Sequence, residues 1–327
     1  MIDLYHDDFG TFHTVHHSLG GVYVQFGNMP RKMRKQIKNH FPIGFVPFGG
    51  NFADFIKPFV EELELLQKGM YMKCVEGNVW VVAGLGCVTA DLPQGNIHAG
   101  VRNHNANFGC RMCKAPQDGL TNPAYDVLLN GRYHHLTNLE LAEINNLQGS
   151  ARVQLLKDYG LRDFSNPLDR LLRDRHLHTP HDAYHAIAGK VAKLLEETLH
   201  LLSKSGEEAF LLHWQGIEKP PQWSRLPNPL KHLRSFMFSD VLRAAMLMPF
   251  ILHRFLKTQH IKHSSLSILK SNLQNINENR VATKIVHCWV IVAKTTELAF
   301  SSCYRNADYE ELDTLLTEES NFLTQVF

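Results

Sequence analysis

Two short segments, far apart along the chain, constrain its fold more than anything else in the sequence. Tyr5-His6-Asp7-Asp8-Phe9-Gly10 and Val88-Thr89-Ala90-Asp91-Leu92-Pro93 each set an aspartate at the end of an apolar, strand-like run. A β-rich stretch and one helix are expected between them. Carboxylates at the tips of neighbouring strands suit hard divalent cations such as Mg²⁺ or Mn²⁺, which prefer oxygen ligands. Two such ions can clamp the attacking and leaving oxygens of a phosphodiester. Asp7 and Asp91, with Asp8 as the alternative to Asp7, are therefore the candidate catalytic and metal-holding residues. A strand-end aspartate also serves as a turn or cap residue, and the Pro93 that follows Asp91 suits a turn.

Residue patterning gives the expected order of elements. Ile2 to Tyr5 reads as a first strand and His17 to Phe26 as a second, rich in β-branched and aromatic residues. Asn28-Met29-Pro30 marks a turn, and Phe41 to Phe48 reads as a third strand. Asn51 can cap a helix running to about Lys68, since Phe52, Phe55, Ile56, Phe59, Val60, Leu63 and Leu66 recur every three or four residues and Gly69 follows. Val79 to Thr89 is a continuous apolar run that reads as one strand buried on both faces. The expected fold class is α/β: a mixed sheet in the order strand, strand, strand, helix, strand, followed by a large, mainly helical region. Residues 1–100 would form the sheet-bearing half with the two aspartates, 101–166 a loop-rich segment, and 167–327 the helical region. Helices are expected at Leu168–Leu177, Asp182–Ser203, Ser239–Leu256, Val281–Tyr304 and Asp308–Val326.

The 327 residues carry a formal net charge of only +2, so a nucleic-acid partner would have to be met by local basic patches. Arg31-Lys32-Met33-Arg34-Lys35-Gln36-Ile37-Lys38 is such a patch, with Arg31, Lys32, Arg34, Lys35 and Lys38 as candidate phosphate contacts. A solvated surface segment would look the same. Six cysteines, sparse and mostly far apart, favour a reducing intracellular setting over a disulfide scaffold. The most membrane-like stretch, Val241 to Leu256, contains Arg243, His253 and Arg254 and is too short to span a bilayer; no membrane association is expected.

Cys110-Arg111-Met112-Cys113 has the spacing by which two thiolates grip one Zn²⁺. Two further ligands would be needed. His134, His135, His176, His178, His181 and His185 lie nearby in sequence, and Asp182 and His185 are spaced to share a helical face. Asp182 could equally cap the helix. There is no phosphate-cradling P-loop, and Gly84-Leu85-Gly86 is too short for a dinucleotide fingerprint. No serine nucleophile elbow occurs either.

Taken in order, these pieces resemble the DDE transposases of the EnSpm/CACTA group and, more closely in wording, of the related Kyakuja–Dileera–Zisupton group. The matching pieces are Asp7-Asp8-Phe9-Gly10-Thr11-Phe12, Phe59-Val60-Glu61-Glu62-Leu63, Asp91-Leu92-Pro93, Gly109-Cys110-Arg111-Met112-Cys113 and Asp182-Ala183-Tyr184-His185. The resemblance runs from the N-terminus to about residue 260. It implies an RNase H-like fold with a helical insertion, and an Asp-Asp-Glu set binding two Mg²⁺ or Mn²⁺ ions. On it the first two acidic positions fall at Asp7 and Asp91, and a Zn²⁺ set at Cys110, Cys113, Asp182 and His185. It further implies DNA as the partner (transposon ends and target), a nuclear location, and homo-oligomerisation as an open alternative. The third acidic residue has no counterpart: Glu297, Glu310 and Glu311 read as ordinary helix positions. A truncated transposase core, weakly active or inactive alone, is therefore the expectation, with a non-catalytic, domesticated DNA- or protein-binding module as the alternative.

Overall fold

The computed structural model describes residues 1–10, 18–75, 77–122, 124–224, 226–274 and 276–326. Thr11 and Phe12 of the first matching piece, and His17 at the expected start of the second strand, lie outside the described residues. The chain divides into two compact units, Met1–Asp182 and Ala183–Phe327.

The first unit is built on a mixed sheet. Strands β1 (Ile2–Gly10), β2 (Ser18–Phe26) and β3 (Phe41–Val46) are joined by β6 (Leu85–Thr89) in the order β3-β2-β1-β6. β1 pairs antiparallel with β2 and parallel with β6, and β2 pairs antiparallel with β3. The short helix α1 (Arg31–Arg34) lies between β2 and β3, and α2 (Phe52–Lys68) follows β3. A parallel β1–β6 pair needs a long crossover, and α2 lies within it.

α2 forms where capping and periodicity agree. Asn51 Oδ1 accepts the Ala53 amide at 2.8 Å, and Gly69, at φ +89°, ends the helix. Its buried stripe, Ile56, Val60 and Leu63, packs on Leu4, Val22, Val46, Leu85 and Val88 of the sheet. Burial of each such side chain contributes about 1.5–3 kcal/mol. Leu168 and Leu171, around a 3₁₀ turn at Pro167–Arg170, complete this core.

Two expectations need correction. The run Val79–Thr89 is not one strand. It splits into β5 (Gly77–Val81) and β6, with β5 paired to β4 (Met70–Cys74) as a separate hairpin. Most apolar residues of that hairpin, among them Tyr71, Val79 and Trp80, are exposed, so their hydrophobicity does not report burial in a central strand. The expected helix Leu168–Leu177 is a single 3₁₀ turn and a loop. Asn166 accepts the Leu168 amide, and Asp174 accepts the amides of His176 and Leu177, so side chains take the place of helical carbonyls.

Beyond the sheet run α3 (Leu92–His98), α4 (His134–Asn145) and α5 (Gly149–Tyr159). The second unit is helical: α6 (Ala183–Leu201), α7 (Lys204–Gly216), α8 (Pro229–His232), α9 (Phe238–Phe255), α10 (His263–Asn272), α11 (Glu278–Ala299) and α12 (Asn306–Val326). α9 is its centre. Val241, Ala244, Ala245, Met248, Ile251 and Leu252 are buried among residues of α6, α7 and α11. Trp289 on α11 donates its indole N–H to Thr198 on α6 at 3.0 Å, satisfying the one polar atom of a fully buried ring. Among the described residues no helix is long and apolar enough to cross a membrane.

Candidate active site

Alternation along β1 sorts its side chains. Leu4, His6 and Asp8 share the face covered by α2, while Asp3, Tyr5 and Asp7 share the other. The parallel register pairs Leu4 with Val88 and Tyr5 with Thr89. β6 ends at Thr89, and Asp91 follows two residues on, within electrostatic reach of both Tyr5 and His6; carried on by two residues, the register would set Asp7 level with Asp91. Chain order alone could not show that the end of β6 comes to lie beside β1.

Asp91 has a second task. Its Oδ1 accepts the Gln94 amide at 2.8 Å and so caps α3, with Pro93 inside the first turn. Asp7 accepts a hydrogen bond from the Tyr5 hydroxyl at 3.1 Å. Burial, then the adjacent Asp7 carboxylate, pushes the Tyr5 phenol well above its ordinary pKa, and Asp182 and Asp91 add to the effect. Three carboxylates thus act on one phenol. Arg111 is a cation within electrostatic reach of both Asp91 and Asp182.

Asp8, on the opposite face, belongs to a different group. Its Oδ2 accepts from the Gln94 side-chain amide, and its Oδ1 lies 3.7 Å from His6 Nε2. His6 Nδ1 is 3.1 Å from His98 Nε2, and the His6 ring stacks on Phe52 at 4.5 Å between centroids. Gly20 faces Asp8 across the β1–β2 pair, and a Cβ there would stand 2.8 Å from both Asp8 Oδ1 and His6 Nε2. Sequence reasoning missed this buried histidine pair. Its members are 92 residues apart, and no local pattern marks them.

The Cys110–Cys113 segment pairs back on the chain, through Cys113↔Gly131 and the amides of Lys114 and Arg132. Burial raises the Cys110 thiol, but bonds from His181, from the Met112 and Cys113 amides and from Cys113 itself outweigh it and bring the pKa down to about 6. Burial pushes Cys113 up. His181 Nε2 stands 4.0 Å from Cys110 Sγ, so His181 is the histidine brought to the knuckle within this unit. His185 lies on α6 in the second unit, edge-on to Tyr184 and Phe238.

Other sequence-marked histidines are committed elsewhere. His134 Nδ1 accepts the Arg175 amide, and His135 lies against Tyr133. His176 Nδ1 donates to the Arg111 carbonyl at 3.0 Å, leaving Nε2 to accept from Thr137 Oγ1 at 2.9 Å. Burial, helped by Arg132 and Arg175, lowers its pKa to about 3. Burial likewise holds His98 well below its ordinary value.

These depressed bases imply acid lability. Below about pH 6.5 the unfolded chain binds a proton that folded His176 refuses. Stability is therefore present above pH 6.5 and lost as pH falls towards 3, at about 1.4 kcal/mol per pH unit for one such group. Urea unfolding from pH 7.5 to 4.5 should show this slope, reduced by about that amount in His176→Asn. Parallel profiles would refute it.

Among the described residues no three His, Cys, Asp or Glu side chains form a group able to hold a metal ion. For Mg²⁺ that is compatible with a site, because this ion is commonly held by one or two carboxylates, its own waters and substrate phosphates. Asp7 and Asp91 would be the carboxylates of such a site. For Zn²⁺, which needs four ligands in a closed structural site, Cys110 with Cys113 and Cys110 with His181 give contacts in pairs and not a cage.

The basic segment folds as α1 followed by a 3₁₀ turn at Ile37–Asn39. Lys32, Lys35 and Lys38 are exposed and make no ion pair among the described residues, whereas Arg34 lies 4.0 Å from Asp3. No family model matches the chain, and no curated protein matches it.

Proposed function

We propose that the first unit is an RNase H-like core of the DDE transposase type, acting on DNA by metal-dependent phosphodiester cleavage and strand transfer. The observation that carries this reading is the sheet order β3-β2-β1-β6, with a parallel β1–β6 register that ends at Tyr5↔Thr89, two residues short of Asp7 and Asp91 on both strands. These two carboxylates would hold Mg²⁺ or Mn²⁺. When bound, the ion supplies Lewis-acid polarisation of a phosphoryl oxygen and lowers the pKa of a water or hydroxyl. The Tyr5 hydroxyl fixes one Asp7 oxygen, and α3 fixes one Asp91 oxygen, leaving the other oxygen of each carboxylate for the ion. Lys32, Lys35 and Lys38 would contact phosphates from their exposed segment.

The test is nicking of supercoiled DNA by the full chain with Mn²⁺ or Mg²⁺. Activity lost in Asp7→Asn and Asp91→Asn supports the reading; nicking unaffected by both substitutions refutes it. A second reading, a binding module that keeps the fold without the chemistry, is favoured by one observation: Asp7, Asp8 and Asp91 all have protein partners already. That reading expects DNA affinity to survive both substitutions with no metal-dependent nicking in any form of the protein.

The thiol pair has its own expected result. Purified, chelator-treated protein should alkylate at Cys110 before Cys113 at pH 7, with half-maximal rate near pH 6. Equal rates at the two positions, read by peptide mass, would contradict the thiolate character of Cys110.

A further inference from the structure

Beside the sheet, the first unit has an open cleft of about 910 Å³ that none of the residues above explains. Its wall includes Arg102, Asn103, Asn105, Arg162, Phe164 and Phe52. Two chain segments meet there. Val101 and Leu161 pair antiparallel, with the Arg102 amide on the Gly160 carbonyl and the Arg162 amide on the Gly100 carbonyl. Alternation along this small ribbon buries Val101 and Leu161 and places Arg102 and Arg162 together on the other side.

Neither arginine makes an ion pair among the described residues. The carboxylate at the cleft, Asp163, is taken by Arg152 through a two-pronged bond. Arg162 Nε donates to the Val101 carbonyl at 2.6 Å, which leaves its outer nitrogens available. Burial and the neighbouring Arg102 both lower the Arg162 pKa, so the two guanidinium groups destabilise one another when the cleft is empty of anions. A phosphate between them would relieve that repulsion and offer the planar, two-pronged geometry that arginine matches.

Part of the remaining wall suits the rest of a nucleotide, beside the apolar Val153, Leu156 and Leu161. The Asn103 and Asn105 amides can both donate and accept at a base edge. Phe164 is a partly exposed ring able to stack a base. Phe52 belongs to both places, lining the cleft and stacking on His6 next to Asp8. The cleft therefore lies on the α2 side of the sheet, the side of His6 and Asp8. Ile97 lines it, and Asp91 caps the same helix, α3, roughly 9 Å away along the axis.

We infer that this cleft is a subsite for a single strand of DNA, with a backbone phosphate held by Arg102 and Arg162 and the adjoining base set against Phe164. The inference rests on the proposed action on DNA and deepens it by naming where, away from the two aspartates, an unpaired strand would be held. Pairing into a duplex would hide the base from Phe164, so the site selects unpaired nucleotides.

The test is fluorescence anisotropy with a labelled twelve-residue oligothymidylate and the full chain, in EDTA so that no divalent ion contributes. Arg102→Ala should weaken binding at least about 10-fold and reduce the slope of log K against log salt by about 0.7, the loss of one single-strand phosphate contact. Phe164→Ala should weaken it about 5- to 150-fold, the range for one lost stacking partner, while a duplex of equal length is unaffected. Unchanged affinity and salt slope in Arg102→Ala would overturn the inference. So would free thymidine monophosphate competing as tightly as the oligonucleotide, which would mark a mononucleotide pocket. Asp91→Asn, assayed alongside, keeps the outcomes apart. Strand binding that depends on Arg102 in a protein without nicking activity supports the subsite and removes the nuclease. Nicking that depends on Asp91 but not on Arg102 does the reverse.

Discussion

Asp91→Asn is expected to leave the first unit folded and to lower metal-dependent nicking by at least about 100-fold. The two halves of this expectation come from the two oxygens of one side chain. The oxygen that accepts the Gln94 amide caps α3, and asparagine is as good a cap as aspartate. The charge is another matter. Partners that merely orient a metal ligand are worth 10- to 100-fold, so a direct ligand should cost at least the upper figure. Asp91→Ala loses the cap as well, and should add about 1 kcal/mol of destabilisation. Urea unfolding and plasmid nicking, run on wild type, Asn and Ala, separate the two roles. If Asn destabilises as much as Ala, the cap does not work through that oxygen. If nicking survives in Asn, Asp91 is a turn residue and nothing more.

Arg111→Met is expected to destabilise the first unit by about 3–5 kcal/mol, a large share of the stability of a typical domain. Arg111 is fully buried between the two cysteines of the knuckle. Its guanidinium donates to the carbonyls of Thr179, Leu92 and Pro180 at 3.1, 3.2 and 2.8 Å, and to Asn96 Oδ1 at 3.3 Å. It makes no ion pair among the described residues; backbone oxygens solvate it instead. Methionine fills similar volume but orphans all four acceptors. The space for the guanidinium is made by Gly95, where a Cβ would stand 2.3 Å from Nη1. Arg111→Lys should fare little better, since one ammonium cannot reach four divergent acceptors. The midpoint of urea unfolding should fall with the denaturant slope unchanged. A loss below about 1 kcal/mol would mean that water replaces the guanidinium. The same bonds tie α3 to the segment ahead of His181 and Asp182, so reactivity at Cys110 should change with the fold.

Local chemistry was legible in the sequence; contacts across long stretches of chain were not. The Asn51 cap, the spacing of Ile56, Val60 and Leu63 and the Gly69 stop act within a few residues, and α2 lies where they place it. The central position of α9 in the second unit also follows from its own apolar residues, although Met246 and Phe250 remain exposed. The break between β5 and β6 was hidden because an unbroken apolar run does not say where the chain turns. The 3₁₀ turn at Pro167–Arg170 was hidden for another reason. The segment is fixed by buried charge, with Arg173 and Arg175 both on Asp169, and periodicity is blind to that. At the candidate site the sequence marked Asp7, Asp91, Cys110 and Cys113. It could not mark His98 as the partner of His6, single out His181 as the histidine at Cys110, or pair Arg102 with Arg162, because each of these depends on which strands and loops meet.

The alternation along β1 makes this strand intolerant of sliding. Insertion or deletion of one residue before Tyr5 would turn every later side chain to the other side of the sheet. Tyr5 would be driven against α2 and His6 out into solvent, and the two adjacent aspartates would trade surroundings, one losing its phenol and the other its imidazole. A frame-preserving indel there should thus damage both the packing and the acidic centre at a stroke, whereas one in the exposed β4–β5 hairpin should touch neither.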